Sequence, residues 1–268
     1  MQPYASTLER VWFWVFRLFC GLVLIFLMLP VLVIIPLSFN SGSFLTYPLD
    51  GFSWQWYATI FSPGPWLTSL KNSLIVAPLA TLLAMIFGTL AAVGFNRADF
   101  LGKSLLMALI ISPMVVPLVI VAVGMYFFFA KVGLLNSYTG LVLAHAVLGV
   151  PFVVITVSAT LQGFDPNQIR AGASLGANPV QVFFAIVLPQ ILPGVISGGL
   201  FAFATSFDEV VVALFIASPT ERTLPMQMFS GIRENISPAI AAMATIMIIM
   251  SVLLLLVVEW LRRRSTRF

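Results

Sequence analysis

Residues 18–37 read LFCGLVLIFLMLPVLVIIPL, and this stretch decides the class of fold. It carries no charge, and a helix of about 20 such residues covers the roughly 30 Å hydrocarbon core of a bilayer. A secretory signal has a shorter apolar core followed by a small-residue cleavage site. This run is too long and no such site follows, so it is expected to persist as a first membrane span. Trp12 and Trp14 stand where an interfacial aromatic belt would anchor it.

The same pattern continues outward along the chain. Residues 18–49, 72–96, 104–130, 132–164, 171–207 and 235–258 contain no charged side chain. Each gap is long enough for one crossing. Helices are therefore expected over about 14–38, 72–95, 104–130, 137–161, 187–217 and 238–261. The alternating ten-residue segments of a membrane β-barrel are absent, and only helices then satisfy their backbone hydrogen bonds within lipid. The expected architecture is all-α, a polytopic six-span membrane protein forming a single domain over residues 1–268.

Composition supports this reading. Of 268 residues, 13 are Lys or Arg and 9 are Asp or Glu; charged residues are 8% of the chain, against about 25% in soluble domains. Hydrophobic residues make up 60% and the mean hydropathy is +1.08. So few charges cannot cover a water-facing surface, which excludes a soluble enzyme, a nucleic-acid binder and a disordered tail despite a pI near 9.6. The single cysteine, Cys20, rules out an intrachain disulfide framework and a cysteine-based zinc site.

The basic residues set an orientation. With the N-terminus inside, Arg10, Arg17, Arg97, Lys103, Arg170, Arg262, Arg263, Arg264 and Arg267 fall on the cytoplasmic side. Only Lys71, Lys131, Arg222 and Arg233 fall outside. This bias predicts both termini in the cytoplasm, with Arg262–Arg264 against lipid headgroups. Two connections are too long for simple turns. The outer segment 39–71 holds Trp54, Trp56, Tyr57 and Trp66 and reads as an interfacial helix or docking surface; the inner segment is 162–186.

Catalytic patterns fail on context. Gly102-Lys103-Ser104 resembles the end of a phosphate-binding loop, but Arg97 stands where the first glycine belongs and no strand precedes it. Gly172-Ala173-Ser174-Leu175-Gly176 has the spacing of a nucleophile elbow in a helical setting. The only histidine, His145, belongs to the middle of the fourth span and reads as a packed polar contact between helices. No enzymatic activity and no cofactor are expected in this chain.

The inner segment carries the strongest local signals. Asp165-Pro166 opens a short helix, Gly176 closes it, and Asn178-Pro179 starts a second one running towards Leu188-Pro189 and the fifth span. A projecting, weakly charged helix–turn–helix needs a partner to cover it. Here the chain resembles the permease subunits of bacterial ABC importers, whose coupling loop reads E-A-A-x-x-x-G, nine residues, then I-x-L-P. This sequence has Arg170-Ala171-Gly172, three residues, Gly176, nine residues, then Ile186-Val187-Leu188-Pro189. The spacing is complete, while Arg170 replaces the acid and Gly172 the second alanine.

The likeness covers roughly residues 20–260. Ser112-Pro113, Pro151-Phe152-Val153-Val154, Ser206-Phe207-Asp208-Glu209-Val210-Val211-Val212 and Leu224-Pro225-Met226 look like the second permease of the spermidine/putrescine branch, as do Ser237-Pro238 and Ala244-Thr245-Ile246. The resemblance implies a type I importer permease in the bacterial inner membrane. It implies a second permease sharing the pore, two cytoplasmic ATPase subunits that hold ATP and magnesium, and an extracytoplasmic substrate-binding protein. Arg170, Ala171, Gly172, Gly176, Ile186, Leu188 and Pro189 would then couple to the ATPase.

Asp208 and Glu209 are the candidates for meeting a cationic solute, being adjacent acids in an otherwise apolar span. From Pro189 to Asp208 is about 29 Å of helix, which puts them in the outer half of that span. Related polyamine permeases often carry an acid after the Ser-Pro of the third span; here that place is Met114. The change favours putrescine, an opine-like base or an amino-acid-like amine over a multiply charged polyamine. Pro113 and Pro117 are expected to kink the third span or line a pore, and Gly194 and Gly198 to allow close helix packing. An ion-gradient-driven transporter of small amines is the alternative; it would show inverted repeats and midplane ionisable groups, and no clear repeat is present.

Overall fold

The computed structural model describes residues 6–234 and 236–265. These residues are mostly helical, with no strand and one isolated antiparallel bridge between Asn40 and Phe52. In chain order the helices are α1 (Thr7–Leu37), α2 (Gln55–Phe61), α3 (Pro65–Arg97), α4 (Lys103–Val115), α5 (Leu118–Val132), α6 (Tyr138–Leu161), α7 (Asn167–Ser174) and α8 (Pro179–Val182). A π-turn over Phe183–Val187 leads into α9 (Leu188–Asp208), followed by α10 (Val211–Ile216), α11 (Leu224–Glu234) and α12 (Pro238–Ser265).

Among the described residues, four helices are long and apolar enough to cross a membrane: Thr7–Leu37, Pro65–Arg97, Tyr138–Leu161 and Pro179–Asp208. The third expected span departs from a straight crossing. It is broken into α4 and α5, which meet at 111°, and counting the pair as one span gives five. Pro117 causes the break, because the ring of a proline bars the preceding residue from helical backbone; Val116 sits at ψ 139°. Pro113 stays inside α4 and does not end it. The sixth expected span falls on α12, whose apolar stretch is Pro238–Leu253.

The fifth expected span, 187–217, differs at both ends. It begins earlier, since Pro179–Asp208 is one 30-residue helix with the π-turn inside it. It also ends earlier, at Asp208, because Glu209 leaves helical geometry and caps α10 instead. Its two carboxylate oxygens accept hydrogen bonds from Val212 N (2.9 Å) and Ala213 N (3.0 Å), satisfying donors that an α-helix leaves open at its start.

The chain forms two compact units. One comprises residues 1–62 and 231–253. In it, α1 starts at a capping box in which Ser6 and Glu9 exchange hydrogen bonds of 2.7 and 3.3 Å, and none of its residues is buried. The guanidinium of Arg17 lies 4.6 Å from the centre of the Phe13 ring. The loop after α1 is tied by Asn40, whose side chain accepts from Gly42 N and Asp50 N and donates to Phe44 O. Phe39, Phe52, Trp54 and Tyr57 cluster there, with Phe39 and Phe52 stacked at 4.8 Å. The expected helix in segment 39–71 is α2.

The other unit comprises residues 63–230 and 254–268. Its centre is a bundle of α3, α6 and α9 packed on Ala84, Val153, Val157, Ile191, Val195 and Ala202. Lipid offers no hydrophobic drive for helix association, so close van der Waals fit holds such helices together. A Cβ at Gly198 would stand 2.6 Å from Val153 Cα, one at Gly194 2.9 Å from Thr156 O, and one at Gly149 2.9 Å from Ala202 Cβ. A second cluster, Ala122, Phe129, Ala144, Leu148, Val212 and Ile216, seats α5 and α10 against α6.

Candidate functional site: an acid-lined cavity and a projecting helix pair

The two broken helices face one another across a cavity of about 800 Å3. Residues 113–118 at the α4–α5 break line one side, and Ala204, Thr205, Asp208, Glu209, Val210 and Val211 at the α9–α10 break line the other, with Leu148 and Phe152 from α6 between them. Met114, Asp208 and Glu209, the three positions singled out in the sequence, are all on this wall.

The adjacent acids differ in what they do. Glu209 is 5% exposed and its oxygens are occupied by the α10 backbone. Asp208 is exposed and makes no hydrogen bond or ion pair among the described residues. In the chain Asp208 stands between Ser206 and Glu209, and both acids line the same cavity. Sequence reading had no means of separating these two carboxylates, because the cap on α10 exists only once the helix breaks. It gave Thr205 no role and Phe152 none beyond the family likeness, because their place on the wall depends on how α6 and α9 pack.

His145 is 1% exposed and contacts α9 through Nδ1, 2.8 Å from Ser206 Oγ. It is a polar contact between helices, as the sequence suggested.

At the opposite end of α9, the segment 162–186 folds as two short helices. Asp165 Oδ1 accepts from Asn167 N (2.9 Å) at the start of α7. Gly176 ends the turn at φ +85°, a conformation that side-chain-bearing residues rarely adopt, and Ala177 N returns to Gly172 O at 3.1 Å. Asn178 and Gln181 form a capping box for α8, each accepting at 2.9 Å. Arg170 and Ala171 are exposed, Gly172 is buried against Ile186 and Val182, and Leu188 and Pro189 open α9. Gln190 bonds Gln168, so α7 is fastened to α9. Leu175, Val180 and Phe184 are left exposed on this projection.

The patterns rejected as catalytic stay so in space. Lys103 Nζ is held 2.8 Å from Asp99 Oδ1 at the turn between α3 and α4, and its hydrogen bond and charge keep the Asp99 carboxyl below the usual range. Ser174 Oγ donates to Arg170 O at 2.9 Å on a helix, away from His145.

Comparison with known proteins agrees with this geometry. Residues 84–267 match the family described as "Binding-protein-dependent transport system inner membrane component". The spermidine/putrescine transport system permease protein PotC of Haemophilus influenzae is 33% identical over 248 residues, covering 92% of this chain and 96% of that protein. The putrescine transport system permease protein PotI of Escherichia coli K12 is 34% identical over 234 residues, covering 83% and 82%. A solved bacterial ABC transporter involved in the import of the acidic polysaccharide alginate superposes with TM-score 0.74 at 17% identity, over 98% of this chain and 99% of that one. At that identity the likeness concerns the fold. Family match, relatives and fold agree that this chain is a non-catalytic transport subunit and belongs to the inner-membrane permeases of binding-protein-dependent ABC importers.

Proposed function

We propose that this chain forms half of a pore through the bacterial inner membrane for a small cationic amine, either a polyamine such as putrescine or spermidine or a related base. In this reading it crosses the membrane six times with both termini in the cytoplasm. A second permease completes the pore, an extracytoplasmic binding protein delivers the solute, and two ATPase subunits seat the α7–α8 projection.

The observation that carries the proposal is the exposed carboxylate of Asp208, without a hydrogen-bond or ion-pair partner among the described residues, on the wall of an otherwise largely apolar cavity. An anion in such surroundings is retained where it meets a cation, and an ammonium can donate to it the charge-assisted hydrogen bond that no group among the described residues supplies. Thr205 supplies a further polar group, while Phe152 and Met114 offer apolar contact to a methylene chain. The PotC and PotI relatives carry polyamine names, and Met114 in place of an acid favours a substrate with few charges.

The link to ATP follows from helix continuity. Pro179–Asp208 is one helix, about 45 Å long, from the projection to the cavity acid. A displacement of α8 by closing ATPases would therefore reach Asp208 along a single rod. Removing the Asp208 charge with Asp208→Asn in the assembled importer tests the proposal. Uptake is expected to fall about 10- to 150-fold, the worth of one charged hydrogen bond, with ATP hydrolysis and assembly kept. Wild-type uptake rate and KM for Asp208→Asn would overturn it.

A further inference from the structure

His145 touches the α9–α10 break on both sides. Its Nδ1 lies 2.8 Å from Ser206 Oγ, two residues before Asp208. Its Nε2 lies 3.8 Å from Glu209 Oε2, one residue after Asp208. That distance is too long for a hydrogen bond, and Nε2 has no other hydrogen-bond partner among the described residues. All three side chains are buried, at 1%, 4% and 5% exposure.

A plain packing contact does not account for this arrangement. The Ser206 hydroxyl alone would satisfy one nitrogen, and a buried ring nitrogen left without a partner is unfavourable. Here that nitrogen is aimed at a carboxylate. With the serine hydroxyl donating to Nδ1, the imidazole proton resides on Nε2 and faces Glu209, so the contact is attractive. Glu209 in turn holds the first turn of α10 through Val212 N and Ala213 N. One rigid ring on α6 thus grips the last turn of α9 and the cap of α10. Asp208 lies in the chain between these two contacts and lines the cavity.

We propose that His145 is a positioning residue for the substrate cavity: through Ser206 and Glu209 it fixes the break between α9 and α10 and so the place of the Asp208 carboxylate. This rests on Asp208 meeting the solute, as proposed above. His145 does not face the cavity wall and acts only through its two neighbours.

The test uses the complete importer, with binding protein and ATPases, in proteoliposomes, and reads putrescine uptake, ATP hydrolysis and complex yield. His145→Leu is expected to lower uptake about tenfold while hydrolysis continues, and His145→Gln, whose amide reaches the place of Nε2, to recover most of it. In an Asp208→Asn background His145→Leu should add less than about twofold, because coupled sites are non-additive. If His145→Leu fails to assemble, Ser206→Ala, which removes one hydroxyl, is measured in the same two backgrounds with the same expectation. Wild-type uptake in these variants, a loss that multiplies with that of Asp208→Asn, or a glutamine no better than leucine would overturn the positioning role. Asp208→Asn at wild-type rate would instead overturn the reading of Asp208 itself, which separates the two failures.

Discussion

A close backbone contact between α6 and α9 gives the most direct stability prediction. Gly198 of α9 faces Val153 and Thr156 of α6, and a Cβ there would lie 2.6 Å from Val153 Cα and 3.2 Å from Val153 Cγ2, besides overlapping Thr156 Oγ1. Carbon atoms rest at about 3.5–4.0 Å, so Gly198→Ala forces the two helices about 1 Å apart. The Val153 atom is backbone and cannot turn away. Separation also loosens the neighbouring contact between Gly149 and Ala202. Overpacking of this kind costs about 1–3 kcal/mol, a factor of roughly 5 to 150 in the folded population. Gly94→Ala in α3 is the control, since nothing lies within 4 Å of a Cβ there and alanine is the better helix former by up to about 1 kcal/mol. Thermal unfolding of the purified protein, followed by fluorescence-detected size exclusion, should place Gly198→Ala below wild type and Gly94→Ala at or above it. Adding Thr156→Ala should restore part of the loss, because it removes the hydroxyl overlap and leaves the backbone one. A Gly198→Ala protein as stable as Gly94→Ala would refute the reasoning about close packing.

Two further predictions concern the ends of the bundle. Buried Asn72 donates to Thr220 O and Arg222 O, each at 2.9 Å, and accepts from Tyr138 OH at 2.8 Å. Asn72→Leu should cost about 1–3 kcal/mol and speed tryptic cleavage at Arg222; an unchanged cleavage rate would contradict the anchoring role. In the coupling motif, Gly172→Ala restores the usual alanine but brings a Cβ to 2.6 Å from Ile186 Cδ1. It should weaken ATPase stimulation by about 1 kcal/mol, and Ile186→Val, which removes that methyl, should restore it in the double variant; no rescue would mean that the two positions are not matched.

What could be read in advance follows the range of the forces involved. The projection at α7–α8 was legible because caps are local: Asn178 bonds Gln181 three residues on, and Gly176 supplies its own left-handed turn. Apolar spans were legible because hydrocarbon imposes a length. Two prolines four residues apart read as kinks or as pore-lining residues; both line the cavity, and only Pro117 breaks the helix, since α4 carries Pro113 within it. The end of α9 was hidden because Glu209 turns away to cap α10, and hydrophobicity alone continues through Val210–Ala217. The meeting of His145 with Ser206 joins residues 61 apart in sequence, and only the packing of α6 on α9 brings them together. Gly172 read as a departure from its motif, and it lies buried beside Ile186 and Val182.

The central claim is that this chain moves a small amine by borrowing ATP-driven motion through α7 and α8. The most direct measurement is uptake of labelled putrescine by proteoliposomes holding either the complete importer or this chain alone. The complete importer should accumulate label only with ATP and the binding protein present, and the chain alone should show no uptake under a proton or sodium gradient. Gradient-driven uptake by the chain alone would contradict the account.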